Sequence, residues 1–87
     1  MRVEFLERCS RDLDKVTQRS IRESVEKIIL KVESAKSLSE IPHIKKLSGH
    51  KSAFRIRLGN YRIGIFVEGN IVQFARIVHR KDIYKIL

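Results

Sequence analysis

Three arginines in the segment 54–63 are the residues whose type and spacing could do chemistry in this chain. Gly59-Asn60 is predicted to be a two-residue hairpin turn, with glycine first as a type II′ turn requires. The turn would pair Arg57 with Arg62 and Arg55 with Gly64. Because side chains alternate between the faces of a sheet, the three arginines would share one face. The opposite, core face would hold Phe54, Ile56, Leu58, Tyr61, Ile63 and Ile65.

The opposition of Arg57 and Arg62 suggests that this face binds an anion. Like charges directly across a strand pair repel, and the hairpin supplies no acid to offset them. Arginine suits phosphate because its planar fork donates two parallel hydrogen bonds and keeps its charge at any cellular pH. The alternative is that these arginines are ordinary surface residues that pair with glutamates of the helices.

Further basic and proton-transferring residues extend this set toward both ends of the hairpin. Metal-free RNA cleavage needs removal of the 2′-hydroxyl proton, neutralisation of the phosphorane and protonation of the 5′-oxygen. Arginines can neutralise the phosphorane, whereas histidine or tyrosine can move protons. The predicted catalytic residues are Arg62, His79, Arg80 and Tyr84, and the predicted RNA-binding residues are Lys45, Lys46, Lys51, Arg55 and Arg57.

The sequence predicts neither a metal nor a cofactor. No group of acidic ligands for Mg²⁺ is visible near the arginines. His43 and His50 are seven residues apart, with no carboxylate or thiol at ligand spacing. Cleavage would therefore rely on side chains alone.

Almost all of the excess of basic over acidic residues lies in the second half of the chain. Residues 1–44 carry 9 Lys and Arg against 8 Asp and Glu, whereas residues 45–87 carry 10 against 2. Such an imbalance costs self-repulsion in the folded state and is typical of a protein that binds a polyanion. A charged surface that only aids solubility is the alternative.

The spacing of apolar residues predicts one α+β domain over residues 1–87 with the order β-α-α-β-β-β-α. Residues 2–6 alternate as a strand, and Ser10 would cap a short helix from Arg11 to Val16. Thr17 would cap a longer helix, and 36–52 would be a basic connection. The antiparallel sheet would follow, with the helical hairpin packed on one of its faces. The apolar stripe of the second helix comprises Ile21, Val25, Ile28, Ile29 and Val32.

The pattern of the last strand does not decide on which face of the sheet Arg76 lies. A second turn at 69–70 would lead into a strand from Ile71 to Val78, in which Val78 faces the core and His79 the arginines. The same register puts Arg76 on the core face, so Arg76 either reaches solvent near the sheet end or a bulge reverses it. Residues 80–87 would form a terminal helix with Ile83, Ile86 and Leu87 facing inward.

Composition narrows the expected environment. No apolar run approaches the roughly 18 residues of a membrane span, and the N-terminus lacks the apolar stretch of a secretory signal. The single cysteine, Cys9, excludes an internal disulfide and is expected to be a small core residue. These features predict a cytoplasmic protein with no membrane partner.

The chain resembles the bacterial RelE/ParE toxin superfamily of type II toxin–antitoxin systems over nearly its whole length. The resemblance implies a RelE-like fold and, on the RelE side, a metal-free endoribonuclease that cuts mRNA in the ribosomal A site. The matching motifs are Lys46-Leu47-Ser48-Gly49, Phe54-Arg55-Ile56-Arg57-Leu58-Gly59-Asn60-Tyr61-Arg62-Ile63 and Val78-His79-Arg80-Lys81-Asp82-Ile83-Tyr84.

The resemblance also implies residue roles. Arg55 and Arg57 match the paired basic residues of the family, Arg62 a phosphate ligand and Tyr84 the tyrosine that assists 2′-hydroxyl activation. Arg80 matches the C-terminal arginine. The paired residues are often lysines, and arginine cannot easily act as a base, so proton transfer would move to His79 or Tyr84. The segment 79–84 is also shorter than in some members, which leaves the position of Tyr84 open.

Three functions are compatible with this sequence. The first is an mRNA interferase held by a cognate antitoxin, whose acidic, disordered segment would fold on this basic surface. The second is a ParE-like inhibitor of DNA gyrase, although such members usually lack the full basic and aromatic set. The third is a non-catalytic member that only binds its antitoxin.

Overall fold

The computed structural model describes residues 1–86 and has an α+β architecture built on a five-stranded sheet of order β1-β5-β4-β3-β2. Within that range, no helix has both the length and the apolar character needed to cross a membrane. The elements in chain order are β1 (Arg2–Phe5), α1 (Glu7–Lys15), α2 (Arg19–Ser34), a 3₁₀ turn (Leu38–Glu40), β2 (Ile44–Lys46), β3 (Ala53–Leu58), β4 (Tyr61–Glu68), β5 (Ile71–His79) and α3 (Ile83–Ile86).

Both long helices form where the apolar stripes predict them, but their starts differ from the prediction. Helix α1 begins at Glu7 instead of after Ser10, because Leu6 ends β1 by donating to the Phe74 carbonyl and its own carbonyl then accepts the Cys9 N–H. Helix α2 begins at Arg19, with Gln18 instead of Thr17 at its N-cap. The residue that ends a strand, and not a capping hydroxyl, determines where α1 starts.

The two long helices pack against different strands of the sheet. Helix α1 contacts β5, whereas α2 contacts β1 and β3. Val25, Ile28 and Val32 of α2 are buried in the core. The predicted helical hairpin is therefore better described as two consecutive helices that are each held by strands.

The predicted connection 36–52 contains a strand that the sequence did not reveal. Residues Ile44–Lys46 form β2, which pairs antiparallel with β3 and is an edge of the sheet. The strand has only three residues, so it carries too little alternation to be recognised. The element order is thus β-α-α-β-β-β-β-α. The prediction of an antiparallel sheet is wrong at one edge, because β1 pairs with β5 in parallel.

A row of four isoleucines crosses the centre of the sheet. Ile44 aligns with Ile56, Ile56 with Ile63, and Ile63 with Ile77, so four adjacent strands each contribute one residue. Ile56 and Ile63 are fully buried. Sliding β3 against β4 by one residue would turn this row to solvent, so the core fixes the register.

The β3–β4 hairpin has the predicted geometry. Leu58 aligns with Tyr61 across a two-residue turn, and Gly59 has the positive φ of 59° that the first position of a type II′ turn needs. The second turn, into β5, repeats the pattern with Gly69 at φ 56°.

A bulge in β5 resolves the position of Arg76. Ile65 aligns with Phe74 but Gly64 aligns with Arg76, so Ala75 is the extra residue. The bulge turns Arg76 off the core face and brings Ile77 onto it. The predicted bulge alternative is confirmed, and the predicted core position of Val78 is wrong because Val78 aligns with Arg62.

Asp12 of α1 holds the bulged part of β5. Its carboxylate accepts the Arg76 Nε at 2.7 Å, the Arg76 Nη2 at 3.2 Å and the Ile77 backbone N–H at 2.9 Å. Strand β1 pairs β5 only as far as Phe74, so this carboxylate takes the place of a strand along the next residues. Near the C-terminus, Ile83 is buried as predicted, whereas the predicted inward positions of the Ile86 side chain and Leu87 lie outside the described residues.

Replacing Asp12 with alanine is expected to lower the free energy of unfolding by about 3 kcal/mol, because it leaves a largely buried guanidinium without its partner. The Asp12 and Arg76 side chains are only 10% and 18% exposed. Urea unfolding followed by circular dichroism measures the change.

Glu7→Ala is the matched control for Asp12, since Glu7 pairs with Arg11 on the exposed side of α1. Exposed pairs of this kind contribute about 0.3–0.5 kcal/mol. Equal losses in the two variants would show that Asp12 does not hold β5.

Cys9 is expected to be unreactive in the folded protein. Burial, and next the negative charge of Asp12, raise the pKa of its thiol to about 11, although Arg76 opposes the shift. The thiol therefore stays protonated at pH 8, and only the thiolate attacks labelling reagents. We expect Ellman's reagent to label Cys9 only after unfolding, whereas Ser10→Cys in a Cys9→Ala background, one residue away and exposed, should be labelled at once. Fast labelling of native Cys9 would contradict the burial.

Candidate functional site

The arginine face is the surface of the sheet that carries Lys45, Arg55, Arg57 and Arg62. Arg57 aligns directly with Arg62, and Lys45 aligns with Arg55 across the neighbouring strand pair. Two pairs of like charges are thus held opposite each other on one face. The pairing of Arg57 with Arg62 was predicted from the turn, and the structure confirms it.

None of these cations has an acidic partner within residues 1–86. The ion pairs found there join Arg11 to Glu7, Arg19 to Glu23 and Arg76 to Asp12. The alternative in which glutamates of the helices neutralise the arginine face is therefore wrong for the described part of the chain. Acidic side chains of residues 1–86 therefore do not compensate the repulsion on this face.

Arg62 lies at the centre of the positive charge. Its Nη1 donates to the carbonyls of Gly59 and Tyr61, both at 2.8 Å, which holds the guanidinium beside the turn. Burial lowers the pKa of Arg62, and the charges of Arg55, Arg57 and Arg80 lower it further, while Tyr84 raises it. These four groups are thus close enough to act on one guanidinium, as the sequence predicted for them.

An open cavity of about 600 Å³ lies at the tip of the hairpin. It is large enough for a nucleotide but has no deep floor, which suits a polymer better than an enclosed small molecule. The backbone N–H of Arg80 donates to the Asn60 carbonyl at 2.8 Å and so fixes the end of β5 against the turn. The cavity is lined by His43, Arg57, Leu58, Gly59, Asn60, Arg62 and Arg80.

His43 is a site residue that the sequence reasoning missed. Its carbonyl accepts both the Arg57 backbone N–H and the Arg55 Nη1, each at 3.1 Å, and its ring Nδ1 lies 3.3 Å from the Arg57 Nη2. Its φ of 60° is the only positive value outside glycine among the described residues. That conformation costs on the order of 1 kcal/mol and is typically kept only where the surroundings impose it. No sequence signal pointed to His43, because the edge strand that follows it could not be recognised from the sequence.

His79 is turned away from the arginine face, contrary to the prediction. The bulge at Ala75 shifts the end of β5 by one residue, so His79 aligns with Tyr61 and its ring meets the Tyr61 ring edge-on, with centroids 6.3 Å apart. Its Nδ1 accepts the Lys81 backbone N–H at 3.3 Å. In this position His79 serves the turn after β5.

The three predicted RNA-binding lysines and Tyr84 lie in different parts of the structure. Lys45 shares the face of Arg55, whereas Lys46 aligns with Phe54 and so points to the opposite face. Lys51 lies in the loop between β2 and β3, beside a separate cavity of about 480 Å³. Tyr84 is 64% exposed on α3, which contacts β4. Of the three predicted RNA-binding lysines, Lys45 alone extends the arginine face.

A metal site or a second cavity that could bind an anion would be an alternative to the arginine face. In residues 1–86, no three His, Cys, Asp or Glu side chains come together in a way that could hold a metal ion. A cavity of about 280 Å³ at the far end of the sheet is lined by Glu4 and Glu68 and carries the opposite charge. An anionic ligand would therefore bind at the arginine face.

Comparison with known proteins finds similarity to toxins, both in a family model and in a single relative. Residues 3–84 match the family described as the ParE toxin of the type II toxin–antitoxin system parDE. The chain is 41% identical to the toxin RelE3 of Methanocaldococcus jannaschii over 85 residues, which cover 97% of this chain and 96% of the relative.

Solved structures of similar fold include toxins in complex with antitoxins. The RelB–RelE antitoxin–toxin complex of Methanococcus jannaschii matches with a TM-score of 0.82 at 39% identity, over 94% of this chain and 95% of that one. The RelBE complex of E. coli matches with a TM-score of 0.71 at 21% identity, over 90% and 94%, which shows a shared fold.

The uncompensated charge predicts a stability cost at Arg57. Arg57→Gln keeps a donor for His43 and removes the charge opposite Arg62, so the free energy of unfolding should rise by about 0.5 kcal/mol at low salt. The gain should shrink near 1 M salt, where the screening length falls to about 3 Å. Urea unfolding at both salt concentrations measures it.

Arg8→Gln is the control for Arg57→Gln, because Arg8 is an exposed arginine of α1 away from the arginine face. It should leave stability unchanged at either salt concentration. A loss of stability in Arg57→Gln at low salt would mean that Arg57 is compensated after all.

Proposed function

Since this chain belongs to the RelE/ParE superfamily of toxins from type II toxin–antitoxin systems, we propose that it is a ribosome-dependent mRNA endoribonuclease. It would cleave through attack of a ribose 2′-hydroxyl on the adjacent phosphate, without a metal ion. The observation that carries the proposal is the alignment of Arg57 with Arg62 beside an open cavity, with no acidic partner for either among residues 1–86.

Phosphate recognition follows from the arrangement of the guanidiniums. The attack creates a phosphorane with additional negative charge, and fixed cations stabilise it most when they need not reorganise. Arg62 is held by two carbonyls and would be the central ligand. Arg57 and Arg80 line the same cavity and would bind the remaining phosphate oxygens.

The neighbouring basic residues would bind the RNA on either side of the cleaved bond. Arg55 lies next to Arg57 on the arginine face, and its buried Nε has no hydrogen-bond partner. An unpaired buried N–H lowers stability, which fits a residue kept for binding. Lys45 extends the same face, and Lys46 and Lys51 would contact the RNA along its approach.

Tyr84 and His79 have different geometric support as proton-transferring residues. Tyr84 acts to raise the pKa of Arg62, and we assign it the orientation of the 2′-hydroxyl. His79 packs on Tyr61 and would have to leave that ring to reach the RNA. The structure therefore supports Tyr84 better than His79 in the role that the resemblance implies.

A cognate antitoxin is the proposed protein partner. Relatives of this chain have been solved as RelB–RelE antitoxin–toxin complexes. An acidic antitoxin segment would relieve the repulsion between the arginines and would block the cavity, so inhibition and stabilisation would come from the same contacts.

Inhibition of DNA gyrase is the second candidate function, favoured by the family description, which names the ParE toxin. Inhibition of gyrase by itself does not call for a nucleotide-sized cavity beside the opposed arginines, whereas RNA cleavage does. The basic and aromatic set at the hairpin tip thus favours RNA cleavage.

Arg62→Ala is expected to lower ribosome-dependent mRNA cleavage by at least about 100-fold, because it removes the central cation from the phosphorane. Primer extension on a defined mRNA, with the purified protein in the presence and absence of ribosomes, measures cleavage. Wild-type cuts should be phased with codons and should require ribosomes.

Two controls make the Arg62→Ala result specific. Arg8→Ala removes an exposed arginine of α1 and should cut as the wild type does, and thermal unfolding should show that Arg62→Ala is folded. Full cleavage by Arg62→Ala would refute the role of the arginine face. Intact mRNA together with inhibited gyrase supercoiling by the wild type would support the second function instead.

A further inference from the structure

The cavity at the hairpin tip is lined by a single side chain of a type that serves as a general base, that of His43. Its other lining residues are three arginines, a leucine, a glycine and an asparagine, and guanidiniums are donors only. Cleavage by a 2′-hydroxyl needs a base near the phosphate that the arginines bind. His43 is the side chain of the right chemistry in that place.

The backbone of His43 is held in place by the same arginines that would bind RNA. Its carbonyl accepts the Arg57 N–H and the Arg55 Nη1, both at 3.1 Å. These two hydrogen bonds hold the residue in the left-handed conformation, which is unfavourable for a non-glycine residue without such contacts. The imidazole is therefore positioned by the binding site itself.

The ring nitrogens have distinct roles because Arg57 can only donate. The Arg57 Nη2 lies 3.3 Å from the His43 Nδ1, so Nδ1 accepts and the proton of the neutral ring is on Nε2. The contact is long for a hydrogen bond, and Arg57 would give it up when its fork turns to a phosphate. RNA binding would then free the Nδ1 lone pair beside the bound phosphate.

Resting on the proposed function, we propose that His43 is the general base of RNA cleavage. Its Nδ1 takes the proton of the 2′-hydroxyl, and the 2′-oxygen forms a bond to phosphorus while the bond from phosphorus to the 5′-oxygen breaks. The 5′-oxygen takes a proton from solvent water, and the imidazolium later returns its proton to solvent. The products are a 2′,3′-cyclic phosphate and a 5′-hydroxyl.

The residues that the resemblance assigns to proton transfer are less well placed for the role of base. The His79 ring packs on Tyr61, and its Nδ1 already accepts the Lys81 N–H. Tyr84 does not line the cavity, whereas His43 does. His43 therefore replaces the lysine base that this chain lacks, while Tyr84 keeps its orienting role.

His43→Asn is the test variant because asparagine tolerates the left-handed conformation and still offers Arg57 an acceptor, but cannot take a proton. We expect its single-turnover cleavage of mRNA on programmed ribosomes to fall by about 100-fold or more, with ribosome affinity unchanged. Exogenous imidazole should restore part of the activity of His43→Gly, in which glycine also accepts the positive φ.

A pH profile separates a base from a positioning residue. The wild-type rate should rise with pH as one group loses a proton, and His43→Asn should lack that step. The charged groups that face His43 are Arg55 and Arg57 of β3, Arg62 of β4, Arg80 after β5 and Lys45 beside it on β2. Lysine and arginine side chains generally keep their charge near neutral pH, so loss of the step in His43→Asn would assign it to His43.

His50→Asn is the matched control, since His50 is exposed in the loop after β2 and does not line the cavity. It should cut at the wild-type rate. Cleavage by His43→Asn at the wild-type rate and pH profile, or a loss of affinity without loss of rate, would overturn the role of His43. If His43→Asn cuts normally while Arg62→Ala is inactive, only the role of His43 is refuted and the proposed function still holds. If the wild type does not cut mRNA at all, both the role of His43 and the proposed function are refuted.

Discussion

The alignment of one isoleucine on each of four adjacent strands, three of them buried, is the constraint on which the rest of this molecule depends. Ile56 and Ile63 have no exposed surface, so the β3–β4 register cannot slide without losing core contacts. The neighbouring position on each strand must then face the other way. That alternation is what holds Arg57 and Arg62 opposite each other, against their mutual repulsion.

The arginine face is therefore a strained surface that a stable core supports. Its like charges align across two strand pairs, Arg55 keeps an unpaired N–H, and His43 keeps a left-handed backbone. Each feature lowers stability in the free protein, and each would be relieved or used by the polyanion that the proposed function requires. Their coincidence within one site is better explained by recognition than by folding.

The sequence was sufficient for the features set by local rules and insufficient for those set by distant contacts. Gly59-Asn60 and strict alternation determine the hairpin register, so the opposition of Arg57 and Arg62 could be predicted. The end of β5 could not, because the bulge at Ala75 places Arg76 and Ile77 against Asp12, which lies over sixty residues earlier. That shift moved His79 away from the arginines.

His43 escaped prediction for a related reason, because it contacts β3 partly through its carbonyl and lies just before an edge strand of only three residues. The most direct test of the whole account is the analysis of the ends of mRNA cut on programmed ribosomes. Cuts within the A-site codon that leave a 2′,3′-cyclic phosphate and a 5′-hydroxyl are the predicted result. Ends with a 3′-hydroxyl and a 5′-phosphate, or uncut mRNA, would contradict it.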